Sequence, residues 1–148
     1  MRWKNTGDVE INIGVLGDSN DVLWEFRDFL AGLGTESNYK ISMMLAKNQE
    51  TIFRVMSFIP GGFDIMIIAD CLHSSVYLKF AEKAWGHSPD LRIFLENSDT
   101  ELTEGLYPHI MLFPNRDRLR VLIKKEIDIL IAENKRKEEK ENEKEGTD

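Results

Sequence analysis

The chain has 148 residues, and its 26 Asp and Glu outnumber its 19 Lys and Arg to leave a formal charge of −7. That length describes one domain, and an acidic chain whose bases lie only in mixed-sign clusters gains little from counterion release, so nucleic acid is excluded as a partner. The longest purely apolar run, residues 65–69, is five residues, far short of the roughly 20 that cross a bilayer, so no membrane span is expected. The opening MRWKNTGDVE lacks the apolar stretch of a secretory signal, and the single Cys71 has no internal disulfide partner. A reduced, soluble, cytoplasmic protein is the expectation.

Five short apolar runs, at residues 11–16, 40–45, 63–69, 91–95 and 109–113, alternate with stretches of helical period. This is the pattern of a parallel sheet with crossover helices on both faces. After the first run, Val22, Phe26, Phe29, Leu30 and Leu33 recur at spacings of three and four, with Asn20 or Asp21 as the cap and Gly32 and Gly34 as stop signals. Asn48 caps a second helix carrying Ile52, Val55, Met56 and Ile59, which Pro60 and the Gly61-Gly62 pair end. Ser74 or Ser75 opens a third, with Val76, Phe80 and Ala84 on one side and Gly86 at its end. Residues 99–106 form a short fourth helix. A fifth, after Pro114, puts Leu119, Leu122, Ile123, Ile127, Leu130 and Ile131 on one stripe and reaches at least Ala132.

Residues 133–148 carry seven acids, five bases and no apolar side chain. They are expected to prolong the last helix for a turn or two and then fray, since neighbouring ion pairs of about 0.2–0.5 kcal/mol do not offset chain entropy. The folded domain is thus placed at residues 1–132. The fold class is α/β, an open, three-layer, doubly wound sheet of five parallel strands, in which ligands sit at the carboxyl ends of the strands. Asp18, Asp70 and Glu96 follow or end three of the runs, so the census at that end is acidic.

Residues 14–19, Gly-Val-Leu-Gly-Asp-Ser, lack the third glycine of a dinucleotide fingerprint and the Gly-Lys-Ser/Thr of a phosphate cradle. Gly17 is read as permitting a tight strand-to-helix turn. Gly17-Asp18-Ser19 also resembles the nucleophile block of the SGNH hydrolases, with Asp70-Cys71-Leu72-His73 imitating their Asp-x-x-His pair. In that family the pair precedes the last helix, whereas here it follows the third run, and the Gly-x-Asn-Asp block is absent. A small hydrolase using Ser19 is one alternative; the other role for Ser19 is to help cap the first helix. His73, His87 and His109 share no helix face, so zinc is not expected. Asp18 with Asp70 or Glu96 could hold magnesium, which takes one or two carboxylates and keeps several waters.

Over residues 11–131 the chain resembles the receiver domain of bacterial response regulators. The resemblance rests on the strand, acidic turn and Leu/Phe-spaced helix of residues 13–34, on Asn48-Gln-Glu-Thr at the second helix, on Phe63-Asp-Ile-Met-Ile-Ile-Ala-Asp70, and on Met111-Leu-Phe-Pro114. It implies the strand order 2-1-3-4-5 of flavodoxin-like folds. It also implies a chemistry in which an acceptor carboxylate takes a phosphoryl group, an acidic pair holds magnesium, a lysine neutralises charge and a Ser/Thr senses the product. This chain departs from that set. Gly17 stands before Asp18 in the acidic pair, Phe113 occupies the lysine position, Glu96 the Ser/Thr position and Ile110 the aromatic switch position. Counted without gaps from Asp64, the acceptor position falls on Ala69, with Asp70 one residue late; a bulge or one-residue shift would return Asp70 to the crevice. A cation about 4 Å from a phosphoryl oxygen is worth roughly 4 kcal/mol at an effective dielectric near 20, so losing it and gaining an anion should impair phosphoryl transfer.

The resulting expectation is a stand-alone, pseudo-receiver-like signalling protein, not an enzyme, that works by protein–protein interaction without stable aspartyl phosphorylation. An active response regulator phosphorylated on Asp70 is the second alternative. No cofactor beyond magnesium is implied. The partner would be a histidine kinase or another signalling protein, met as a monomer or homodimer through a surface bearing Tyr107, Arg116, Arg118 and Arg120.

Overall fold

Alternation of side chains along five apolar strands builds two cores, one on each face of a single sheet. The computed structural model describes residues 2–3, 9–35, 39–59, 62–69, 77–96, 110–113 and 115–145. A two-residue strand, β1 (Arg2–Trp3), runs antiparallel to the start of β2 (Val9–Gly17), pairing Arg2 with Glu10 and Trp3 with Val9. The other strands are β3 (Tyr39–Ala46), β4 (Ile65–Ala69), β5 (Arg92–Glu96) and β6 (Ile110–Phe113), joined in parallel in the spatial order β3-β2-β4-β5-β6. Counted among the parallel strands alone, this is the order 2-1-3-4-5 of a flavodoxin-like α/β fold. The sequence reading did not anticipate β1, because two residues carry no periodicity.

On one face, Ile11, Ile13, Val15, Ile65, Ile67, Ala69, Phe94 and Phe113 pack against α1 (Asn20–Thr35) and α4 (Arg116–Glu145). On the other, Leu16, Met66, Ile68, Ile93, Leu95 and Leu112 meet α2 (Gln49–Phe58) and α3 (Leu78–His87). The crossover therefore changes face between α1 and α2, which opens a crevice between the carboxyl ends of β2 and β4. At the opposite end Asp64 fastens the same two strands. Its carboxylate accepts from the Asn12 amide at 2.9 Å and its own amide donates to the Asn12 carbonyl at 2.7 Å.

The helix ends follow local chemistry with some departures. Asn48 caps α2 as expected, its Oδ1 accepting from the amides of Glu50 and Thr51 at 2.7 and 3.4 Å. The first helix is capped by Ser19, the capping role read for it above, and not by Asn20 or Asp21: Ser19 Oγ accepts from the Val22 amide at 3.3 Å. α1 runs through Gly32 and Gly34 to Thr35, because Leu33, 6% exposed, is held in the core between them and outweighs the glycines' weak propensity. α3 includes Gly86 and ends at His87; Ser74 and Ser75, like the short helix at 99–106, lie outside the described residues.

The last helix runs to Glu145, further than the one or two turns expected past Ala132. Leu119, Ile123, Ile127 and Leu130 are buried on the sheet, each worth roughly 1.5–3 kcal/mol. With nucleation met by that packing, residues of good helical propensity need only propagate the helix. Arg92 on β5 adds ion pairs to Glu126 and, at 3.0 Å, to Glu133. Among the described residues no helix is long and apolar enough to cross a membrane.

Gly14 is a point of close approach. A Cβ there would lie 2.9 Å from Phe63 Cε2 and 3.2 Å from Ile52 Cδ1, both in the α2-side core. Gly14→Ala is expected to lower stability by about 1–3 kcal/mol in urea denaturation, as overpacking does. Gly32→Ala, on α1 with nothing within 4 Å of its Cβ, should instead be neutral or stabilising by up to about 1 kcal/mol.

Candidate functional site

Parallel strands deliver the ends of β2, β4, β5 and β6 to one edge of the sheet, where Gly17 pairs with Ala69 and Glu96 with Phe113. Asp18, the residue after β2, is exposed and accepts a 2.6 Å hydrogen bond from the hydroxyl of Tyr77, which immediately precedes α3. Ser19 carries the α1 cap described above.

Gly17 turns the chain without a positive φ; among the described glycines only Gly62, at +68°, has one. Its smallness serves packing instead. A Cβ at Gly17 would meet Leu23 Cδ2 at 3.2 Å and Val22 Cγ1 at 3.6 Å, so α1 closes over the position where the receiver-like pattern has its first acid. A side chain there would press on buried Leu23, which would have to give by a few tenths of an ångström.

Ala69 and Phe113 are each 1% exposed and belong to the same apolar cluster, with Val15, Leu23, Phe94 and Leu119. Position 69 therefore presents a methyl group within the core, and the phenyl ring of Phe113 occupies the place of the expected lysine. Ile110, 5% exposed, packs in the opposite core. Asp70, Cys71, His73 and Tyr107 lie outside the described residues. Among the described residues no three metal-ligating side chains gather.

The charge on the site comes from Glu96, 5% exposed at the end of β5. A buried carboxylate is costly unless paired, and here the first turn of α4 supplies the partner. Arg116 Nε lies 3.8 Å from Glu96 Oε1, and Arg116 Nη1 donates to Glu25 Oε2 on α1 at 2.6 Å. Arg120, one turn on, donates to the other oxygen of Glu25 and pairs with Asp117 at 3.3 Å. Asn115 sets the helix entry, its Oδ1 accepting from the Arg118 amide at 2.9 Å. A chain of alternating charges, Glu96–Arg116–Glu25–Arg120, thus runs from the strand end across the α1–α4 seam.

This arrangement alters the sequence-based electrostatics. The anion at position 96 is answered by a cation three residues beyond the expected lysine position, so the site is not simply acidic. It also changes the standing of the candidate partner surface: Arg116 and Arg120 are engaged within the molecule, while the Arg118 side chain is exposed. Sequence reasoning missed Glu25, Tyr77 and the pairing of Arg116. A strand-ending glutamate followed, after the next strand, by arginines one turn apart is the signal that was present.

Removing the guanidinium should deprive Glu96 of its 3.8 Å contact with Arg116. Arg116→Ala is expected to cost about 1–3 kcal/mol in urea denaturation. A double-mutant cycle with Glu96→Gln should show coupling of at least about 0.5 kcal/mol, the double variant losing less than the sum. Additive losses would mean that the two groups do not interact.

No family model and no curated protein matches this chain. Solved structures do. A protein of Burkholderia thailandensis E264 named for pilus assembly (cpaE) superposes with a TM-score of 0.52 at 19% identity, over 78% of this chain and 96% of its own. A protein of Burkholderia pseudomallei K96243 named as pilus assembly-related gives a TM-score of 0.54 at 20% identity, over 78% of this chain and 87% of its own. At these identities the likeness is one of fold, which agrees with the flavodoxin-like strand order.

Proposed function

We propose that this chain is a receiver-like signalling module that acts by docking a partner protein and does not rely on a stable aspartyl phosphate. The observation that carries this reading is the shared burial of Ala69 and Phe113 in one apolar cluster. In the count without gaps, these are the acceptor and lysine positions of the receiver-like pattern. Phosphoryl transfer depends almost wholly on positioning and electrostatic stabilisation, and neither a methyl group nor a phenyl ring offers charge to a phosphoryl oxygen.

The arginine that does reach the strand ends is already matched by Glu96 and Glu25. For a phosphoryl group to recruit Arg116, its 2.6 Å pair with Glu25 and its longer, 3.8 Å contact with Glu96 would have to give way. The fold offers surfaces without that switch, and a signal can leave through them by binding alone. The names of the two structural neighbours suggest the setting: assembly of a pilus-like machine is a process in which a small docking module would serve.

Amide spectra of the 15N-labelled chain with magnesium and a fluoroberyllate phosphoryl mimic test the reading. No saturable shift is expected at Asp18, Ala69, Glu96 or Arg116 up to millimolar mimic. A saturable shift at these positions at sub-millimolar mimic would establish a working phosphoacceptor, with Asp70 as the acceptor and Asp18 as a magnesium ligand, and would overturn the proposal.

A further inference from the structure

The cations expected to meet a partner on α4 are largely engaged internally, and a different set faces solvent on the other side of the sheet. Between the first turns of α2 and the body of α3 lies a groove of about 500 Å³, within the size range of ligand sites. Phe53 and Phe80 are its apolar lining, and Arg54, Lys79 and Lys83 line it with Glu50 as the one acid among its described lining residues. Arg54, Lys79 and Lys83 are exposed. Among the described residues no carboxylate lies within 4.0 Å of any of the three, whereas Arg27, Arg92, Arg116 and Arg120 all have one. Lys83 Nζ instead sits 4.3 Å from the centre of the Phe53 ring, and His87 meets that ring with a centroid distance of 5.5 Å.

We infer that this α2–α3 groove is the docking site for an acidic peptide segment of the partner protein, one carrying an aromatic or aliphatic residue among Asp and Glu. This deepens the docking function proposed above and rests on it. Charge complementarity selects the occupant: three bases against one acid form a positive rim on a chain whose net charge is −7. Such a rim attracts acidic segments and repels basic ones. The apolar lining adds specificity of a different kind. Phe53 is half-buried, so an apolar side chain set among the acids can cover its remaining face, and the cation over the ring stays available to a carboxylate. A groove open along the two helices suits an extended segment better than an enclosed small molecule.

The test is an amide titration of the full chain with the peptide acetyl-Glu-Glu-Phe-Asp-Glu-Leu-amide, against acetyl-Lys-Lys-Phe-Lys-Lys-Leu-amide and inorganic pyrophosphate. Saturable shifts confined to α2 and α3 are expected with the acidic peptide, weakening with salt and absent with the basic one. The Arg54→Glu/Lys83→Glu double variant should bind at least about tenfold more weakly, with an unchanged circular dichroism spectrum because both side chains are at the surface. Lys79→Glu should act in the same direction.

Absence of saturable shifts with the acidic peptide, or equal shifts with the basic one, would overturn the inference. So would tighter binding of pyrophosphate at the same residues, which would make this a small-anion site. Shifts around Arg118 on α4 would refute the groove while leaving partner docking intact. The fluoroberyllate spectra read the phosphorylation question separately, so the two proposals fail on different signals.

Discussion

A carboxylate withdrawn from water at the end of a central strand requires a counter-charge, and Glu96 obtains one from the first turn of α4. That requirement organises the functional end of the molecule. Arg116 is drawn toward the strand ends, Glu25 on α1 accepts its second contact, and Arg120 completes the series. The helices on either side of the seam are joined by charge above a core in which Leu23, Phe26, Phe113, Leu119 and Ile123 are buried together. Ion pairs at a partly exposed seam are worth little singly; their effect here is to define which side chains are still free to meet another molecule.

Beneath that charged layer the described ends of β2 and β4 are buried: Leu23 and Val22 lie over Gly17, and Ala69 shares an apolar cluster with Phe113. The topology that makes such a crevice a ligand site in open α/β sheets is present, and the strand-end residues Gly17, Ala69 and Phe113 are buried. Asp18 survives as an exposed acid tied to Tyr77. On the other face of the sheet, Arg54, Lys79 and Lys83 of α2 and α3 line a groove with Phe53, and Lys83 sits over its ring.

Much of the fold was legible because strands fully buried on both faces must be continuously apolar: residues 65–69 and 110–113 announce themselves without any help from tertiary structure. The Asn48 cap was readable for the same local reason. The choice among Ser19, Asn20 and Asp21 stayed open because Ser, Asn and Asp stand in succession and each can cap. Gly32 and Gly34 misled because Leu33 is fixed by packing across the sheet, which no local propensity records. The pairing of Arg116 was hidden more deeply. Its partners, Glu25 and Glu96, are 91 and 20 residues away in sequence, and only the crossover that lays α1 beside α4 brings them together. The α2–α3 groove was illegible on the same ground, since Arg54 and Lys83 come from separate helices. The orientation of Asp70 concerns a residue outside those described.

The central claim is that core packing and an internal ion chain occupy the place of a phosphorylation pocket. Its most direct test is a crystal structure of the chain grown with magnesium and acetyl phosphate. The account requires Arg116 to lie between Glu96 and Glu25, with Phe113 still packed against Leu119 and no phosphoryl group at the strand ends. A magnesium ion on Asp18 beside a phosphorylated Asp70, with Arg116 turned toward the phosphate, would contradict it.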